Sequence, residues 1–346
     1  MLHTTNSASL TLSKPTKHNK VGSLILQGCK KGSQKIQFKK TILPIHEHKQ
    51  NIIILNKPKK KPSTKNLTSD SGFSSISCPQ TETMMEDMLS NTEHELDRMV
   101  SQHYILRTAF NADFSAPISS FDKKTVLDIG CGTGTWTMEM ATRFPTATFI
   151  GLDKQVNFPQ NIKPKNCHFK QFCIDTNYVR LPFEDASVDY IFQRDLNWNL
   201  TKHNWVPLVE EYYRILKPGG WLEIVEADIE TQSSSFYEDS LINKLIYSFY
   251  ARQQDPFISK RLSSLMAEAG FRRIQSDFQS IPLGWGYQKL SVNQQNTKKT
   301  IRCSEFARAA SSHRLELLKS LQSWFMREHN ISQSKYEAYL EQLPTE

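Results

Sequence analysis

The sequence predicts an α/β fold in which a doubly wound parallel sheet carries helices on both faces. Three observations lead there. Between residues 121 and 290 short apolar runs alternate with amphipathic stretches, the order that buries a parallel sheet between two helical layers. Val126-Leu127-Asp128-Ile129 runs straight into Gly130-Cys131-Gly132-Thr133-Gly134 and then into Thr135-Trp136, giving a strand, a glycine-rich turn and a helix in succession. Lys217-Pro218-Gly219-Gly220 breaks a helical period and is followed at once by a new apolar run.

The elements follow in order. Residues 1–80 hold fourteen Lys against Glu47 and Asp70, a surplus of twelve positive charges that leaves the rest of the +8 chain at −4. Their apolar pieces, the longest being Ile52 to Leu55, keep no period long enough to bury a face, so 1–82 is expected to be a basic, disordered extension. Lys57, Lys59, Lys60 and Lys61 between Pro58 and Pro62 have the form of a nuclear-import signal, which requires an exposed run; a plain solvated tail has the same composition. A mitochondrial presequence is disfavoured because no Arg precedes Arg98. From Thr83 to Arg107, Met85, Met88, Leu89, Leu96, Met99, Val100 and Tyr104 predict one or two amphipathic helices.

Strands are predicted at Thr125–Ile129, Thr148–Leu152, His168–Ile174, Val188–Gln193 and Trp221–Val225, and at the sheet edge over Phe271–Leu283. Helices are predicted at Trp136–Arg143, His203–Leu216, Leu241–Tyr250 and Ser259–Ala269, with Cys303–Arg327 and Gln333–Leu343 packing outside. The six cysteines are scattered without C-x-x-C or His spacing, which predicts a reducing compartment, cytoplasmic or nuclear, and no metal site. No run approaches the roughly 20 apolar residues of a membrane span, so no membrane partner is expected. Because the positive charge sits in the extension and not on the domain, nucleic acid is a disfavoured partner.

The glycine turn predicts a nucleotide-type cofactor. Its G-x-G-x-G spacing puts Thr135 where a dinucleotide fingerprint has its third glycine. A turn without a phosphate to hold can tolerate an acid, and Asp128 beside it suits an ammonium group; a pyrophosphate there would be repelled. Asp153 closes the second strand about 20 residues further on, where a carboxylate accepts from ribose hydroxyls, in NAD sites as well. Asp175 at the end of the third strand can accept from an adenine amino group.

These motifs, with Leu181-Pro182-Phe183-Glu184-Asp185 and Val209-Glu210-Glu211-Tyr212-Tyr213-Arg214-Ile215-Leu216-Lys217-Pro218-Gly219-Gly220, resemble the class I S-adenosylmethionine-dependent methyltransferases over about residues 121–290. Asp97-Arg98-Met99-Val100-Ser101-Gln102-His103-Tyr104, Ala116-Pro117 and Pro282-Leu283-Gly284-Trp285-Gly286 extend the resemblance to a fungal branch that includes regulators of secondary metabolism. The resemblance implies a Rossmann-like seven-stranded sheet of order 3-2-1-4-5-7-6 with an antiparallel last strand, and added N- and C-terminal helices. It implies a methyltransferase domain over 83–346, with its core at 121–290 and a helical cap at 291–346. It further implies S-adenosylmethionine as cofactor, the methionine part lined by Gly130, Cys131, Gly132, Thr133 and Gly134. Asp153 would take the ribose, Asp175 and Thr176 the adenine, and the Gln193 backbone the amino group, with His103 and Tyr104 closing over them.

Methyl transfer from a sulfonium needs alignment and a dry pocket more than a nucleophile. If the acceptor must lose a proton, His103, Asp195, His203 and Glu226 are candidate bases, although His203 also suits a helix start and His103 ordinary packing. Arg194, Trp198 and Trp205 are candidate acceptor contacts, the tryptophans equally suited to the core. Gln193-Arg194-Asp195-Leu196 replaces the Asn-Pro-Pro-Tyr type motif of amide-nitrogen methylating enzymes. The expected activity is therefore methylation of a small molecule or a protein side chain. The alternative is a nuclear regulator that keeps the fold and acts through protein partners, and an NAD-dependent oxidoreductase is the third reading.

Overall fold

The computed structural model describes residues 47–57, 86–174, 179–232, 234–284 and 304–343, all within the unit spanning 45–346. In chain order the elements are β1 (Glu47–Asn56), α1 (Glu93–Phe110), β2 (Thr125–Ile129), α2 (Thr135–Arg143), β3 (Thr148–Asp153), β4 (Cys167–Gln171) and β5 (Val188–Arg194). They continue as α3 (Lys202–Ile215), β6 (Leu216–Gln232), α4 (Phe236–Ala251), α5 (Leu262–Glu268), β7 (Arg272–Pro282), α6 (Glu305–His329) and α7 (Gln333–Gln342). The first predicted helical stretch begins later than its apolar spacing suggested, because Thr92 caps α1 by accepting from the Glu95 amide.

One seven-stranded sheet runs in the order β4-β3-β2-β5-β6-β1-β7. Counted from β2 as the first strand, five positions read 3-2-1-4-5, and β7 takes the sixth at the edge. Strands β4, β3, β2, β5 and β6 are mutually parallel. The antiparallel position expected for a seventh strand is filled by β1, which pairs antiparallel with β6 on one side and β7 on the other.

This corrects the expectation that 1–82 is disordered throughout. Ile52, Ile53, Ile54 and Leu55 are all at most 4% exposed. Ile53 and Leu55 pack into the core with α3 and α5, while Ile52 and Ile54 pack into the opposite core with Trp136 and Phe149. A four-residue apolar run without alternation is what a strand covered on both faces requires. It was too short for sequence periodicity to separate from a tail.

Lys57, expected in an exposed import signal, is buried. Its Nζ donates to the carbonyls of Tyr213 at 2.6 Å and Leu216 at 2.7 Å, and its backbone pairs with Gly219 and Gly220. The ammonium thereby satisfies carbonyls at the C-terminal end of α3, where the helix dipole favours a cation. Lys59, Lys60 and Lys61 lie outside the described residues.

A third core, formed by α1, α4, α6, α7 and the end of β7, includes Leu106, Leu245, Phe249, Leu321, Trp324 and Tyr336. The helical cap is therefore built from N-terminal, central and C-terminal helices together, not from 291–346 alone. Of the described cysteines, Cys131 and Cys167 are free thiols, and Cys173 is disulfide-bonded, which departs from the fully reduced set expected. Among the described residues no helix is long and apolar enough to cross a membrane.

Candidate functional site

The carboxyl ends of β2, β3 and β5 meet the helical cap at the glycine turn. Gly130, Gly132 and Gly134 have φ of +70°, +54° and +72°, a region that costs residues with a Cβ. The turn is tied to β3: Gly130 and Cys131 donate to the Leu152 carbonyl, and the Gly132 amide donates to Asp153 Oδ2 at 2.8 Å. Asp153 Oδ1 accepts from the Gln155 amide at 2.9 Å. Burial raises the Asp153 pKa, opposed by these amides. The close approach at the turn is plain at Gly132, where an added Cβ would lie 2.3 Å from Met99 Cε on α1.

A cavity of about 180 Å³ opens between this turn and the cap. Gly130, Cys131, Gly132, Thr133 and Asp153 line one end. Asp195, Trp198, Glu226, Leu245, Phe249 and His313 are among the residues lining the rest. The 86–91 segment contributes as well: Asp87 pairs with Lys154 and accepts from Gln155 Nε2 at 2.7 Å.

Several residues singled out from the sequence are placed elsewhere. Asp128 is 4% exposed, absent from the cavity lining, and accepts from Thr137 Oγ1 at 2.5 Å. It binds α2 to the sheet because its strand parity turns it toward the core of Val126; burial raises its pKa to about 7. Gly134 also lies off the cavity, its missing Cβ making room for the Phe169 ring. The Gln193 side chain is fully buried beneath the site, donating to Glu226 Oε1 at 3.0 Å and accepting from the Tyr212 hydroxyl at 2.6 Å, while the contact expected of this residue was through its backbone. Asp175 and Thr176 lie outside the described residues.

His103 and Tyr104 do not close over the turn. His103 bonds Glu139 through Nε2 at 2.9 Å, and Tyr104 donates to the same carboxylate at 3.0 Å. Burial lowers the His103 pKa, with Arg194 adding to the effect and Glu139 opposing it. The face of α1 that meets the cavity carries Glu95, Met99 and Gln102 instead. His103, Asp113 and Glu139 bring ligand atoms within 4.8 Å of one another, in the manner of a metal site. Arg107 contacts both Asp113 and Glu139 at 2.9 Å, however, so guanidinium already supplies the charge a cation would bring.

His203 is exposed near the start of α3 and Trp205 is 1% exposed in the core beneath, so neither lines the cavity. Trp198 does, and so does Arg194, whose guanidinium donates to His103 Nδ1 at 3.3 Å. Burial lowers the Arg194 pKa while Asp128, Asp195 and Glu223 hold it up. Asp195 lines the cavity in a left-handed conformation, φ +51°, and accepts from the Gln102 side-chain amide. Glu226, 1% exposed, accepts from Gln193 Nε2 and the Leu196 amide, both at 3.0 Å. Burial raises the pKa of both carboxyls; their mutual repulsion adds to this at Glu226, while Arg194 opposes it at Asp195.

Sequence reasoning missed Gln50, Asp87, Met99, Gln102 and His313 in the lining. Only Met99 and Gln102 carried a signal, their three-residue spacing on the helix that also holds His103.

Residues 126–220 match the family described as Methyltransferase domain, Methyltransf_25. The chain is 27% identical over 213 residues to the secondary metabolism regulator laeA of Aspergillus fumisynnematus, covering 58% of this chain and 54% of that protein. It is 30% identical over 209 residues to the secondary metabolism regulator LAE1 of Cochliobolus heterostrophus, covering 55% and 64%. To the methyltransferase pytC of Aspergillus terreus it is 28% identical over 204 residues, covering 56% and 60%. The chain thus spans between about half and two thirds of the length of these relatives. With the glycine turn, the acid at the end of β3 and the sheet order behind them, residues 126–220 match a methyltransferase domain, and the chain is similar to fungal secondary-metabolism regulators and methyltransferases.

Proposed function

We propose that this chain holds S-adenosylmethionine at the glycine turn and moves its methyl group to an acceptor bound between the sheet and the helical cap. The observation that carries the reading is the bond from the Gly132 amide to Asp153. It fixes the turn against the end of β3 and holds a carboxylate where it can accept from a ribose; NAD sites carry an acid there too, and it is the G-x-G-x-G spacing of the turn that favours a ligand without a pyrophosphate. The same arrangement fits a phosphate-free ligand. Each Asp153 oxygen spends one lone pair on a backbone amide and keeps capacity for a ribose hydroxyl.

When bound, the sulfonium supplies an electrophilic methyl whose sulfur leaves as a neutral thioether. The chain's part is alignment and exclusion of water. Met99 presses on the turn from α1, and Trp198, Leu245 and Phe249 wall the far side. Asp195 and Glu226 are the candidate proton acceptors that reach the cavity, whereas His103 and His203 do not.

Calorimetry with S-adenosylmethionine and, separately, NADH tests this reading. Binding of the sulfonium alone is expected, weakened at least tenfold in Asp153→Ala, since one charge-assisted hydrogen bond contributes about 1.5–3 kcal/mol. Uptake of NADH without the sulfonium would overturn it. The names of the relatives, secondary metabolism regulators, favour a second reading, in which the chain is a regulator and not chiefly an enzyme. A variant that loses the cofactor yet keeps its biological effect would select that reading.

A further inference from the structure

The cavity extends past the glycine turn into a region whose chemistry is lopsided. Three residues that line it each hold a buried side-chain oxygen without a hydrogen-bond donor: Asp195 Oδ1, Gln50 Oε1 and Asn197 Oδ1. Gln50 is 4% exposed, so solvent does not serve it. A buried acceptor left without a partner costs about 1–3 kcal/mol, and three at one cavity call for a ligand rich in N–H.

Charge points the same way. The cations facing this region are largely matched: Arg98 is held by Glu95 at 2.6 Å, and Arg314 lies 3.7 Å from Glu238, although its Nε has no hydrogen-bond acceptor. His313 Nε2 accepts from Arg98 Nη1 at 2.8 Å, and burial pushes its pKa down to about 3, so it is neutral. Arg194 is left to face Asp195, with Asp128 and Glu223 also drawing on it. Glu226 adds a further carboxyl. Burial and the neighbouring Asp195 raise the Glu226 pKa to about 8, so near neutral pH Asp195 is the carboxylate that an acceptor would meet, and Lys154 is held by Asp87. Around them stand Trp198, Ile229, Leu245, Phe249, Pro256 and Leu317, an apolar wall for an apolar body.

We propose that the acceptor is an amine on an apolar body, received as its ammonium ion by Asp195 with Gln50 and Asn197, and methylated on nitrogen. This rests on the methyl-transfer reading above. The ammonium has no lone pair, so one N–H proton passes to the Asp195 carboxylate, giving the neutral amine and a carboxylic acid. The nitrogen lone pair then forms the N–C bond as the C–S bond of the sulfonium donor breaks, its electron pair staying on sulfur. The product is a methylated ammonium and a neutral thioether, and Asp195 returns its proton to water on product release.

The full chain is first titrated with S-adenosylhomocysteine. Failure at this step counts against the cofactor site itself and not only against the amine. The loaded protein is then titrated with a series of arylalkyl amines, from benzylamine to 4-phenylbutylamine, and the matched alcohols and carboxylates. At least one amine is expected to bind tenfold or more tightly than its alcohol, with its carboxylate weaker still. Asp195→Asn is expected to erase that preference while S-adenosylhomocysteine affinity stays within twofold. Should that variant not fold, the wild-type pH series decides: amine affinity falls on acidification as Asp195 takes up a proton, whereas alcohol affinity does not. Alcohols or carboxylates binding as well as the amines, no amine binding at millimolar concentration, or a preference indifferent to both Asp195→Asn and pH would overturn the proposal.

Discussion

Removing β1 tests the most unexpected part of the fold. Two chains are compared, one lacking residues 1–46 and one lacking 1–57, so that the difference between them is the strand and Lys57. The second truncation takes away Ile52, Ile53, Ile54 and Leu55, none more than 4% exposed. Each such side chain contributes about 1.5–3 kcal/mol, and the four together about 6–12 kcal/mol. A whole domain is stable by only about 5–15 kcal/mol. The deletion also strips the ladder partners from β6 and β7, leaving two unpaired edges inside the sheet. Urea unfolding followed by tryptophan fluorescence is expected to give a cooperative transition for the longer chain and none for the shorter. A milder probe, Ile53→Ala, is expected to cost about 2–5 kcal/mol. Equal midpoints and slopes for the two truncations would refute the assignment of 47–56 to the interior of the sheet.

Two further outcomes are expected. Asp128 titrates near 3.8 when unfolded and at about 7 in the folded chain because of burial. The folded state therefore binds the extra proton between those values, so the Asp128 contribution is fully present below the window and lost as pH rises through it. Urea midpoints measured across the window should fall less steeply in Asp128→Asn, which keeps an acceptor for Thr137; an unchanged slope would count against the burial. Tyr104, 47% exposed and bonded to Glu139, is expected to be indifferent to the cofactor. Calorimetry of Tyr104→Phe should give S-adenosylmethionine affinity within twofold of wild type, and a tenfold loss would restore the closing role that its place on α1 first suggested.

The parallel core was legible because its signals are local. A strand that runs into glycines, or a helix that ends at Lys217-Pro218-Gly219-Gly220, declares itself within a dozen residues. The position of β1 was not legible, since its partners stand more than 150 residues away in sequence and a four-residue apolar run has no period of its own. Helix phase was the second loss. Periodicity located α1 but not its rotation, and one step along the helix separates Gln102, which lines the cavity, from His103, which does not. The two tryptophans differ in the same manner: Trp198 precedes α3 and reaches the cavity, while Trp205 rides the face of α3 that packs on the sheet.

Asp195 and Glu226 show what a further step of sequence reasoning can recover. Each was singled out alone, 31 positions apart in the chain. Parallel neighbours end at the same edge of a sheet, and the register of β5 against β6 sets Arg194 opposite Val225. Asp195 is the first residue past the end of β5 and Glu226 the next on β6, so two carboxyls arrive close together at the edge where such folds bind ligands. Two like charges so close in a buried place cannot both ionise freely, and burial with their mutual repulsion raises the Glu226 pKa. Strand register, more than either residue's identity, thus brings the two carboxyls together at the end of the cavity where the proposed acceptor would sit.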